Sequence, residues 1–149
     1  MASDAYLLDT GVLILYARGA DAGEAIEARF QFKATPYRPL VCVVTLGEIW
    51  AFARWRQWGE RQTQQLKTFL ENVVPIDISH SSIIEAYAEI QNHARQKGRA
   101  LSDNDVWNAA VAHVSGATLL TTDKDFDPLV DRFIERILID PHTGQVIEH

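Results

Sequence analysis

The stretch Ala5-Tyr6-Leu7-Leu8-Asp9-Thr10-Gly11-Val12-Leu13-Ile14-Leu15-Tyr16-Ala17-Arg18 decides the architecture. Residues 5–8 are a short apolar run that ends on an acid, and 12–18 then read as a short helix. A strand that passes through a carboxylate into a helix is the repeating unit of a parallel α/β sheet. The unit recurs along the chain. Residues 40–44 are apolar on both faces, as a buried parallel strand requires. Thr45 is expected to cap the helix that follows, which runs to about Gln57 and stops at Gly59. Between these units, 23–33 read as a helix with Ile26, Phe30 and Ala34 on one side, and Pro36 and Pro39 punctuate a loop.

Further on, 60–71 read as a helix and 73–76 as a strand. Ser79 or Ser81 is placed to cap a long helix to Lys97, and Ser102 to cap another over 103–115, each ended by a glycine (Gly98, Gly116). Residues 118–121 make a fourth strand and 137–139 a fifth. The segment 140–149 holds a turn at Thr143-Gly144 and a tail or short edge strand. The expected fold is α/β, with a central, mainly parallel, five-stranded sheet.

A length of 149 residues with 47% apolar and 23% charged side chains fits one globular domain, 1–149, and excludes disordered, collagen-like and disulfide-scaffold chains. At this length about 70% of the unfolded surface can be buried, so no structural metal is required. The one cysteine, Cys42, has no internal disulfide partner and suits a reducing compartment; its apolar surroundings read as a buried strand position, not a nucleophile. The N-terminus carries Asp4 and no basic region, unlike a secretory signal. The longest apolar run, 12–17, is far short of the ~20 residues that span a bilayer. A soluble cytoplasmic protein without a membrane partner is expected.

The net charge of −6 is unevenly spread. Residues 1–100 carry 11 basic and 11 acidic side chains, whereas 101–149 carry 3 and 9. A solvated acidic face would account for this; so would a set of carboxylates arranged for a divalent cation. The balance argues against gripping nucleic acid by bulk charge, though not against cutting it with a metal.

Four acids recur at one kind of place. Asp9 and Asp123 follow the first and fourth strands, while Glu48 and Asp105 are expected in the first turns of helices. Ligands of open parallel sheets bind at the carboxyl ends of the strands, beside the helix N-termini, so all four should face one rim. Two carboxylates about 4 Å apart repel by roughly 4 kcal/mol at an effective dielectric of 20. A crowd of them therefore needs protonation or a cation. Oxygen-only ligands favour Mg²⁺ or Mn²⁺, which can activate water for attack on a phosphodiester. Each acid also has a plain structural reading: Asp105 in a capping box with Ser102, Asp103 and Glu48 as dipole-favoured acids, Asp9 as a turn residue. Their convergence favours a site.

Other motifs fail. Asp123, Asp125 and Asp127 imitate the start of an EF-hand loop, but Pro128 and Ile134 stand where Gly and Glu are needed. No phosphate-binding glycine loop is present, and the five histidines lack ligand spacing; His113 reads as structural. Gly11 stands where a haloacid-dehalogenase-type phosphatase needs its second Asp. The run Arg54-Trp55-Arg56-Gln57-Trp58 is either a packed tryptophan pair with snorkelling arginines or a contact surface for RNA or a protein. Arg95, Lys97 and Arg99 suit the end of a helix dipole.

Taken in order, four segments resemble the PIN-domain family, and within it the VapC-type toxins of bacterial toxin–antitoxin pairs: Leu7 to Ile14, Val43 to Ile49, Leu101 to Ala112 and Leu119 to Phe126. The likeness covers about residues 6–127. It implies a three-layer α/β/α fold and a Mg²⁺- or Mn²⁺-dependent ribonuclease. Asp9, Glu48, Asp105 and Asp123 match the family's acidic quartet. Asp9 and Asp105 are expected as primary metal ligands, Asp123 as a direct or water-mediated one, and Glu48 as the group that orients or deprotonates the attacking water. Thr10 matches a small polar position beside the first Asp; Thr45, Asn108 and Asp125 are further supporting candidates. Asn108 replaces an apolar residue common in relatives, and either Asp123 or Asp125 could be the fourth acid. The resemblance also implies an RNA substrate, a homodimer and a cognate antitoxin, with the segment 50–58 as the candidate contact patch. A non-catalytic PIN module binding RNA or protein, and a metal-dependent phosphohydrolase, are the alternative readings.

Overall fold

The computed structural model describes residues 5–34 and 36–148; the N-terminal reading at Asp4 lies outside them. The chain begins with strand β1 (Tyr6–Leu8), helices α1 (Thr10–Arg18) and α2 (Asp21–Phe30), and strand β2 (Leu40–Cys42). Helices α3 (Val43–Trp55) and α4 (Glu60–Leu70) lead to β3 (Val74–Ile76). Helices α5 (Ser81–Gln96) and α6 (Asp103–Ser115) lead to β4 (Thr118–Thr121). A 3-10 turn (Lys124–Leu129), β5 (Arg136–Ile139) and β6 (Val146–Glu148) complete the order.

The strands lie in the order β3-β2-β1-β4-β5-β6. The first five are parallel, with Leu8 opposite Leu120 and Cys42 opposite Ile76, and β6 runs antiparallel to β5. Among the described residues the sheet thus has six strands where five were expected. The sixth is no shorter than β1, β2 or β3 but lacks the apolar run that marks them, and it depends on a turn: the Asp140 carboxylate accepts from the His142 and Thr143 amides, and the Gly144 N–H donates to the Asp140 carbonyl at 2.8 Å.

Successive strand residues feed opposite cores, as the two-residue strand period demands. Leu7, Cys42 and Leu119 point to the core covered by α5, α6 and the 3-10 turn. Leu8, Val41 and Leu120 point to the one covered by α1, α2 and α4. Helix α3 contributes Val44 to the first core and Ile49 to the second. Cys42 is fully buried, as expected. Among the described residues no helix is long and apolar enough to cross a membrane.

Two element boundaries differ from expectation in a way that matters for the site. Strand β2 ends at Cys42, because its partner β3 ends opposite it at Ile76. The helix therefore starts at Val43, Thr45 lies inside it instead of capping it, and Glu48 falls in the second turn. Helix α2 is displaced toward the N-terminus of its expected range, since Gln31 takes a left-handed conformation that ends it. The cap of α5 is His80, whose ring nitrogen accepts from the Ser82 amide. Ser102 caps α6 as expected, its hydroxyl accepting from the Asp105 amide at 3.2 Å.

Candidate active site

Chain connections leave β1 toward β2 on one side and, through β3, cross to β4 on the other. The carboxyl ends of β1 and β4 therefore flank the switch point where an open α/β sheet forms its crevice. Asp9 is the first residue after β1, and Asp123 is the second after β4.

Asp9 caps α1: its Oδ1 accepts from the Thr10 amide at 2.8 Å. Its Oδ2 accepts from the hydroxyl of Thr121, the last residue of β4, at 2.7 Å. The same Thr121 oxygen accepts the Asp123 amide at 3.0 Å. One fully buried hydroxyl thus joins the two strand ends and orients both acids. Sequence reasoning missed Thr121; the available signal was a hydroxyl residue closing the strand before an acid. Asp123 starts the 3-10 turn, its Oδ1 accepting from the Asp125 amide at 2.8 Å.

Glu48 reaches the same rim from α3, where its Oε1 accepts the Thr10 hydroxyl at 2.9 Å. Thr10 therefore serves Asp9 with its backbone and Glu48 with its side chain. Asp105 arrives from the first turn of α6. One carboxylate oxygen from each of Asp105, Asp123 and Asp125 lies within 4.8 Å of the others. Asp9 sits deeper, only 7% exposed. Asp127 is engaged elsewhere, in an ion pair with the buried Arg136.

The electrostatics follow from this crowding. Burial raises the Asp9 carboxyl above its usual range, helped by the charges of Glu48 and Asp123, while the bonds from Thr121 and Thr10 oppose the rise. Burial also pushes Asp105 up to about 7, reinforced by Asp9, Asp123 and Glu48 and countered by Ser102. Asp105 thus senses the charges of the other three expected acids. Uncompensated negative charge on oxygen-only donors is the chemistry that suits a hard divalent cation, and a bound cation would remove the cost of ionising Asp105.

The remaining candidates fall into two groups. Thr45 and Asn108 are both fully buried and bonded to each other across α3 and α6, the Asn108 amide nitrogen lying 3.0 Å from the Thr45 hydroxyl. That nitrogen also donates to the Asn104 carbonyl. The pair joins the two helices that carry Glu48 and Asp105. At the far end of α3, Trp58 packs on the core, whereas Trp55 is 75% exposed and Arg54 and Arg56 face solvent. His113 is structural, its Nδ1 lying 2.8 Å from the Phe133 carbonyl oxygen.

Residues 6–130 match the family model described as PIN domain. The chain belongs to the PIN-domain family. Ribonuclease VapC5 of Mycobacterium tuberculosis is 31% identical over 128 residues, which cover 83% of this PIN domain's chain and 86% of the relative. The solved VapBC-5 of the same organism, a member of the VapBC family of toxin-antitoxin systems, gives a TM-score of 0.63 at 26% identity, covering 92% of this chain and 100% of that one. VapBC2 from Rickettsia felis, bound to a DNA fragment from its promoter, gives 0.73 at 22% identity, over 89% and 98% of the two chains. VapBC-1 from nontypeable Haemophilus influenzae gives 0.73 at 23% identity, over 90% and 97%. The α/β architecture of this PIN domain is thus the one seen in those proteins.

Proposed function

We propose that this PIN domain is a Mg²⁺- or Mn²⁺-dependent endoribonuclease that acts as the toxin of a toxin–antitoxin pair. The observation that carries the reading is the cluster of Asp105, Asp123 and Asp125 carboxylate oxygens within 4.8 Å of one another at the β1–β4 switch point, where burial first, and then the charges of Asp9, Asp123 and Glu48, push Asp105 up to about 7. The 31% identity to Ribonuclease VapC5 supports the ribonuclease and toxin parts.

Asp105, Asp123 and Asp9 would hold the cation, with Asp125 at the outer edge of the set. The chemistry such a cation would supply there is charge neutralisation of the acids, polarisation of a phosphodiester and a lowered pKa of water. The chain's own groups divide the remaining work. Thr121 holds the carboxylates of Asp9 and, through the backbone, of Asp123 in fixed orientations. Glu48, steadied by Thr10, accepts a proton from the attacking water. The Thr45–Asn108 bond keeps α3 and α6, and so Glu48 and Asp105, in register. A homodimer and an antitoxin that covers the site belong to the same proposal.

The test is cleavage of a broad RNA panel by the purified protein with Mg²⁺ or Mn²⁺. Cleavage should disappear with EDTA and in Asp9→Asn. Cleavage that survives both would place the chemistry elsewhere in the molecule.

A further inference from the structure

The face of α3 that carries Glu48 continues past the acids. Phe52 and Trp55, four and seven positions on, share that face, with Trp55 about 10 Å farther along the axis. Phe52 is held by Trp58, ring centroids 5.9 Å apart, and Trp58 packs on the core. The end of the helix is closed tightly: the Arg56 amide donates to the Phe52 carbonyl and the Trp58 amide to that of Ala53, each at 2.9 Å, across Gln57 in a left-handed conformation. On this base Trp55 stands 75% exposed. The Arg56 guanidinium carbon lies 5.9 Å from the Trp55 ring centroid and 5.8 Å from that of Phe52.

We propose that Phe52, Trp55 and Arg56 form a stacking platform for an unpaired RNA base on the face of α3 that carries Glu48, an inference that rests on the ribonuclease reading. An exposed aromatic ring with a cation beside it offers a π-face to a base and a positive charge to its phosphate. A chain of net charge −6 gains nothing from bulk attraction to RNA, so it needs a local anchor of this kind. Bases stacked inside an A-form duplex cannot reach the platform, so it serves unpaired bases alone. Taken alone, one exposed aromatic ring of about 150–250 Å² is well short of the ~800 Å² per side of a stable protein interface. The other large exposed apolar residue of α3, Val43, lies at the opposite end of the helix.

Binding of a fluorescently labelled single-stranded RNA in EDTA, and its steady-state cleavage with Mn²⁺, test the platform together. Trp55→Ala should weaken binding and raise KM roughly 5- to 100-fold with kcat within about twofold, while Trp55→Phe restores most of the loss. Binding of a blunt RNA duplex should not change. Trp55 is exposed, so folding is unaffected, and thermal melting verifies this. If the parent cleaves RNA but Trp55→Ala matches it in binding and KM, the platform is wrong and the ribonuclease reading stands. If nothing is cleaved but single-stranded binding still depends on Trp55, the ribonuclease reading fails and the platform stands. Unchanged RNA binding with an altered oligomeric state would overturn the platform in favour of a protein contact.

Discussion

Thr121 makes two hydrogen bonds with one oxygen, and both end on proposed metal ligands or their backbone. Groups that orient ligands in this way typically contribute 10- to 100-fold to metal affinity or activity. Thr121→Val should therefore lower Mn²⁺ affinity and RNA cleavage by about that factor, with Thr121→Ser close to the parent; calorimetry and a cleavage assay read the two quantities. Asp105 supplies a pH dependence. Its folded pKa of about 7 lies above the reference value of 3.8. Its contribution to stability is thus fully present below about pH 3.8 and is lost as pH rises through 7. The metal-free protein should melt at lower temperature at pH 8 than at pH 5, and the fall should be smaller in Asp105→Asn. An equal fall in both would mean that Asp105 ionises freely. Glu48→Gln removes the proposed proton acceptor and should cut cleavage by roughly 10²- to 10⁴-fold without abolishing metal binding. At this scale the acids were legible because strand end, acid and helix are adjacent in the chain. Thr121 was not, since its bond to Asp9 joins residues 112 apart and exists only once β1 and β4 pair.

Elements set how well these side chains are held. Thr45 and Asn108 exchange bonds while fully buried, so removing either strands the other without water. Asn108→Leu or Thr45→Val alone should cost about 1–3 kcal/mol in urea unfolding. The double variant should recover much of that, because no polar group is then left unpaired. A double variant as unstable as the sum of the singles would show that the bond is not what matters. Gly11 in α1 is tight for a different reason: a Cβ there would lie 2.2 Å from the Thr122 hydroxyl. Thr122 sits between Thr121 and Asp123, so Gly11→Ala should lower activity more than stability, read by cleavage against thermal melting. The start of α3 shows why element boundaries were harder to read than element types. Val43 and Val44 favour a strand by composition, yet the parallel ladder with β3 stops one residue earlier, at Cys42. That single shift turned Thr45 from an expected cap into a buried partner of Asn108. Strand β6 was faint because Val146 and Ile147, between Gln145 and Glu148, make no apolar run like those that marked the equally short β1 to β3.

For the molecule as a whole, the sheet order explains why residues from four distant segments meet. The reversal of direction at β1 opens the crevice, and α3 and α6 bring Glu48 and Asp105 to its rim. The excess of acids in residues 101–149 is partly this site and partly structure. Asp105, Asp123 and Asp125 cluster, whereas Asp127 pairs with Arg136 and Asp140 holds the turn before β6. The central claim is that the cluster is a divalent-cation centre, and a Mn²⁺ titration by calorimetry at pH 6 and pH 8 tests it most directly. Because Asp105 titrates near 7, binding at pH 6 must displace a proton that is largely gone at pH 8. The account predicts one saturable site with more proton release at pH 6 than at pH 8, and loss of that site in Asp9→Asn and Asp105→Asn. No saturable binding at either pH, or binding that both variants retain in full, would contradict it.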